Sequence, residues 1–173
     1  NKFEIAWGVG LDNTSATKKY RIEYIIEDAI LKSNDCAELY WQFVGENFEI
    51  DAKKVTGTII LPQKAYSKEN IKVWGHTEDL NGEIYVTDLN KIEFELKKYK
   101  NGRFVEIRTL FPTNLISSTK RKYNTNILDT AIAEETKWAE EANRQREINK
   151  ATQLIICAVI IVTMIILSII FVK

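Results

Sequence analysis

The stretch "KVWGHTEDLNG", residues 72–82, carries the only histidine of the chain, His76, beside Trp74 and close to two acids and an Asn-Gly pair. A hydrolytic triad needs a general base held against a nucleophile, and His76 is the one imidazole available. No G-x-S-x-G occurs, and neither cysteine sits in a nucleophile context. Zinc needs three or four nitrogen or sulfur ligands, more than one His and one Cys can supply. There is no glycine-rich phosphate loop. So thin an inventory argues against a conventional enzyme: the expectation is no catalytic residues, no metal and no cofactor. Calcium is the sharper alternative, because Thr77, Asp79 and Asn81 followed by Gly82 mimic the opening of a calcium loop. That register wants an Asp where Thr77 stands and a bidentate Glu where Asp88 stands, and Ile84 and Val86 alternate as a strand does. A structural turn is the better reading.

The other conspicuous run is "AELYWQFVGENFEI", with Tyr40, Trp41, Phe43 and Phe48 inside nine positions. Such a run builds either an aromatic platform for a glycan, a peptide or a base, or a central strand buried on both faces, with Gly45 at a turn or bulge. Bulky filling between two facing sheets favours the core reading, for Trp74 as well. Tyr40, Trp41, Trp74 and His76 remain the candidate partner-binding residues.

The elements that must position these residues are mostly strands. Tyr20, Ile22, Tyr24 and Ile26 alternate with Lys19, Arg21 and Glu23. Val55, Ile59 and Leu61 face away from Thr56 and Thr58, and Ile92, Phe94 and Leu96 face away from Lys91, Glu93, Glu95 and Lys97. Val105, Ile107 and Phe111 stand against Glu106 and Arg108. Period two with β-branched and aromatic content predicts half-buried strands, and several short ones predict an antiparallel β-sandwich of immunoglobulin-like architecture. Asn81-Gly82 and Asn101-Gly102 suit tight hairpin turns, and Pro62 and Pro112 each close a strand.

After Pro112 the pattern changes. Residues 117–125 form a polar linker with a small basic cluster at Lys120, Arg121 and Lys122, which suits either solvent or acidic lipid head groups. From Asn126, a candidate N-cap, the period is helical: Ile127, Leu128, Ala131, Ile132, Trp138, Ala139 and Ala142 make one stripe, too short for a coiled coil. That juxtamembrane helix, residues 126–150, is expected to pack on the domain, on a partner or along the membrane. Residues 154–172, opening on Leu154 and closing on Val172, read "LIICAVIIVTMIILSIIFV", 19 positions with no charge, Gly or Pro. At about 1.5 Å per residue they match a hydrocarbon core about 30 Å thick. The expected division is therefore a sandwich over residues 1–116, the linker, the juxtamembrane helix, and a transmembrane helix over 151–173.

Global charge adds little, since 24 basic residues balance 24 acidic ones and no field steers the chain to nucleic acid. Cys157 lies in the span and Cys36 in the domain, so no disulfide between them is expected, and cysteine usage leaves the compartment open. No signal peptide opens the sequence, there is no initiating Met, and the sequence stops one residue past the span; a piece of something longer is expected.

The blocks "KKYRIEYIIEDAI", "DCAELYWQFVGENFE", "VTGTIILP", "VWGH…LNG" and "VEIRTLFP", in this order over about residues 17 to 116, resemble the extracytoplasmic domain of the YciQ-like predicted bacterial membrane proteins, a domain of unknown function. The resemblance implies a signal peptide and earlier strands upstream, a span and a cytoplasmic part downstream, and no established activity or site residue. It also implies that the domain lies outside the cytoplasm. Flanking charge points the other way: Lys137, Arg144, Arg146 and Lys150 precede the span and only Lys173 follows it. Large domains translocate largely regardless of such charges, so the expectation follows the resemblance. It is a membrane-held extracytoplasmic β-sandwich that binds or senses an envelope component, a protein or a glycan, with a structural or scaffolding role as the alternative.

Overall fold

The structure, a computed structural model, describes residues 19–78 and 81–171. Asp79 of the calcium-like loop and Val172 at the end of the span lie outside the described residues. Seven strands are followed by one helix: β1 (Ile30–Lys32), β2 (Ala37–Val44), β3 (Ala52–Ile60), β4 (Lys72–His76), β5 (Gly82–Asp88), β6 (Lys91–Tyr99), β7 (Val105–Phe111) and α1 (Leu128–Phe171). They form two antiparallel sheets, a four-stranded one in the order β1-β2-β7-β4 and a three-stranded one in the order β3-β6-β5, which is the β-sandwich the alternation predicts.

The inward faces of β6 and β7 supply the core. Ile92, Phe94 and Leu96 meet Val105, Ile107 and Phe111 between the sheets, all buried, and each such side chain contributes about 1.5–3 kcal/mol by leaving water. Across from Phe94, β3 has Gly57, and a Cβ there would run into the Phe94 ring. The glycine is what leaves room for the tip of the ring against β3.

Four expectations need correction. Residues 19–26 form no strand: Tyr20, Ile22 and Tyr24 are about half or more exposed in irregular chain, because alternation marks only the capacity to pair. Asn81-Gly82 closes no hairpin, since β4 and β5 belong to different sheets. Gly82 opens β5, and the Asn81 side chain donates to the Lys97 carbonyl at 2.7 Å. Asn101-Gly102 does make a turn, with Gly102 at φ +71°, but it too crosses between sheets, from β6 to β7. The strand buried on both faces is β7 rather than the aromatic β2, whose Tyr40 and Phe43 stay 38 % exposed.

The second cover of β7 is α1. Asp35, in the β1–β2 turn, accepts from the backbone N–H groups of Ile127 and Leu128 at 3.0 and 3.1 Å, so a side chain from another element performs the capping expected of Asn126. Ala131 then packs against Leu110 and Cys36, with Trp74 at the margin. Further along, Glu134 and Glu135 meet Arg108, and Trp138 meets His76. The helix therefore descends antiparallel to β7 along the outer face of the four-stranded sheet. It runs for 44 residues without a break, and its later part is long and apolar enough to cross a membrane.

Candidate functional site

Outward-facing residues of β2, β4 and β7 build the site, and α1 closes it. Strand pairing sets Tyr40 beside Arg108, Trp74 beside Arg108, and His76 beside Glu106. Arg108 is the hub. Its Nε donates to Glu38 at 2.6 Å, and its Nη1 to Glu134 at 3.0 Å and Glu135 at 3.1 Å. The guanidinium also lies 5.2 Å from the Tyr40 ring centroid, within cation–π range. Burial alone would favour loss of the charge, but the hydrogen bonds to Glu134, Glu38 and Glu135 outweigh it and push the Arg108 pKa up.

His76 joins the same cluster from β4. Its Nε2 is 2.8 Å from Glu135 of the helix, and its Nδ1 is 3.3 Å from Glu106 and 3.4 Å from the Tyr40 hydroxyl. Tyr40 and Trp138 both meet the imidazole edge-on, at 5.9 and 5.2 Å between centroids. Burial, then the hydrogen bond and charge of Glu106 and the charge of Glu135, raise the Tyr40 pKa, with Arg108 opposing. Glu135 is thus shared between Arg108 of β7 and His76 of β4, and its side chain is 2 % exposed. One helix carboxylate pins α1 to two strands at once.

At the helix start Asp35 is held by a different set of bonds. Partial burial disfavours its charge, but the Ile127 N–H, the Ser33 hydroxyl and the Leu128 N–H outweigh that and hold its pKa at about 2.

Beside the clamp, between the sheet and α1, lies a groove of about 560 Å³ bounded by Tyr40, Trp74, His76, Glu106, Phe104, Trp138, Ala142 and Arg146. Its size and mainly apolar wall suit a small-molecule or peptide-side-chain site. The structure brings Tyr40, Trp74 and His76 together here. Trp41 lies on the opposite face of β2, with Ala37 and Leu39 toward the second sheet, so the three aromatics form no common platform. Thr77 lines the groove as well, and its Oγ1 is buried without a hydrogen-bond partner among the described residues. Asp88 and Asn81 of the calcium-like pattern are spent on structure, Asp88 accepting from the Leu89 N–H at 2.7 Å and Asn81 donating to Lys97.

Sequence reading missed Glu38, Arg108, Glu134 and Glu135. A signal for Glu135 was present: with Ala131, Trp138 and Ala142 it continues the i, i+4, i+7, i+11 stripe, an acid in the middle of an apolar face. For Arg108, alternation marked the correct face, and the chain brings its cover only some 25 residues later.

These features define a class: a β-sandwich clamped through buried charges to a helix that continues into a membrane-length apolar segment. The chain belongs to the family described as predicted membrane protein (DUF2207), N-terminal domain, whose match covers residues 3–111. No curated protein and no solved structure gives a significant match.

Proposed function

We propose that the chain is an extracytoplasmic binding or sensing module, held by its span, in which occupancy of the groove between sheet and helix bears on the membrane segment. The observation that carries this reading is the position of Glu135. It bridges Arg108 and His76 on the helix that runs unbroken into the apolar segment, so sheet, groove wall and span share one element. A ligand entering between Tyr40, Trp74 and Trp138 changes the packing of that helix directly. The reading involves no catalysis: the lone imidazole is engaged by the carboxylates of Glu106 and Glu135.

Two measurements test this. A cysteine at Ser118, probed with an impermeant thiol reagent on intact cells, labels before lysis if the domain is outside; labelling only after lysis overturns that orientation. Titration of glycans and peptides against the purified protein, followed by Trp fluorescence, should give a saturable change that Trp138→Ala abolishes. Silence across the panel favours the scaffolding role.

A further inference from the structure

We propose that the β2–β3 and β6–β7 loops, with Thr77 and Glu78 at the end of β4, form a membrane-facing base of the sandwich and rest on the lipid head groups. The proposal depends on α1 spanning the bilayer, and its geometry follows from the direction of the helix. Leu110 lies level with Ala131 and Arg108 with Glu134 and Glu135, while Phe104 and Thr77 share the groove wall with Ala142 and Arg146. Descending α1 toward its apolar part is therefore descending β7 toward its start. The loops at that end of the sandwich point to the membrane.

Heights follow from the helix rise. The loop tips lie near the level of Arg146, and the apolar run opens at Leu154, eight residues or roughly 12 Å further on. A head-group layer takes up about 5–7 Å of that distance, leaving a gap of about 5–7 Å for an upright helix. Helix and sheet layers pack about 10 Å apart, so loop tips between the two sheets stand about 15 Å from the helix axis. A common tilt of about 20° toward the sandwich lowers them by roughly 5 Å and closes the gap.

The base is suited to such a contact. Its loops are tied to one another: Asp51 accepts from the Asn101 N–H and from Lys100, both at 2.9 Å, Phe48 O accepts from the Gly102 N–H at 3.1 Å, and Arg103 pairs with Glu78. Phe48 and Ile50 protrude from this tied surface, 46 % and 65 % exposed. The basic residues Lys120, Arg121 and Lys122 sit at the other end, where residues 121–125 bond to Lys32 and Asn34 near the helix start. The head-group contact that the sequence offers for that cluster is thus placed on the wrong side of the domain.

The test uses the full chain with Cys157→Ser, which leaves buried Cys36 as the only native thiol, and that parent measures background. An environment-sensitive fluorophore is attached at Ile50→Cys, at Phe48→Cys, at Lys120→Cys or, in the span, at Val159→Cys, and each protein is reconstituted in phosphatidylcholine vesicles. Nitroxide on the lipid head group should quench the Ile50 and Phe48 sites at least about twofold more than the Lys120 site. Ile50 serves as the second site because Phe48 also packs on Tyr99, 5.8 Å between centroids. Equal, weak quenching at both ends, with Val159 quenched by acyl-chain nitroxide, overturns the docking while leaving the span intact. Stronger quenching at Lys120 reverses the geometry and overturns it too. An unquenched Val159 removes the span, and the proposal with it.

Discussion

Replacing Arg108 with methionine keeps much of the side-chain volume and removes the charge that binds three carboxylates. The Arg108 side chain is 9 % exposed, and two of its partners, Glu38 and Glu135, are 11 % and 2 % exposed. Taking away one member of a buried pair strands the other as an uncompensated charge, at about 3–5 kcal/mol. Glu135 retains His76 at 2.8 Å, but Glu38 loses a 2.6 Å bond and has no other ion pair among the described residues, so the lower half of that range applies, about 3–4 kcal/mol. At about 4 °C or more per kcal/mol for a domain of this size, the melting temperature falls by roughly 12 °C or more. Glu134→Ala removes a partner whose side chain is 51 % exposed, and should cost less than about 1 kcal/mol. The assay is thermal unfolding of the detergent-solubilised chain, followed by Trp fluorescence, with Trp74 and Trp138 at the clamp as reporters. Adding Glu38→Leu and Glu135→Leu to Arg108→Met should recover most of the loss, because an apolar replacement of a buried ion cluster is often neutral or stabilising. If Arg108→Met costs no more than Glu134→Ala, the cluster does not hold the helix and the reasoning fails.

Asp35 predicts a pH dependence. Its folded-state pKa of about 2 lies below the ordinary 3.8, so its stabilisation is complete above about pH 4 and is lost as pH falls toward 2. Discounted for its partial exposure, the contribution is about 1–2 kcal/mol. Acid titration of stability should show this loss in the native chain and a flatter profile in Asp35→Ala. Gly57→Ala drives a Cβ into the Phe94 ring and should cost about 1–3 kcal/mol in chemical denaturation, with Phe94→Leu relieving part of it in the double variant. Thr109 is fully buried and its Oγ1 finds no partner among the described residues, so Thr109→Val should raise stability by about 1 kcal/mol in the same assay.

Most of the architecture could be read from local pattern. β3, β6 and β7 show their inward faces as Val55 and Ile59, as Ile92, Phe94 and Leu96, and as Val105 and Ile107, because one side of each meets the other sheet and period two records that. The start of the helix was legible from its apolar stripe, and its later part from 19 positions without a charge, Gly or Pro. Pairing partners were less legible. The Asn-Gly pairs mark changes of chain direction, but nothing within five residues tells a hairpin from a crossover between sheets. Residues 19–26 have a strand's alternation, and no strand partner is seen for them among the described residues. The site was the least legible part. His76 and Tyr40 drew attention as rare or aromatic residues, whereas Arg108 and Glu38 read as a solvent-facing charge on strands whose outer surface only α1 covers. A distant element reversed their environment, and short-range periodicity carries no record of it.

The central claim is that the sandwich and the descending helix move as one body because buried charges clamp them. It is tested most directly by the distance between spin labels at Lys97→Cys on β6 and Glu147→Cys on α1, in the Cys157→Ser chain in lipid. The clamp predicts a single narrow distribution that broadens in Arg108→Met. A broad distribution in the parent chain, unchanged by Arg108→Met, contradicts it.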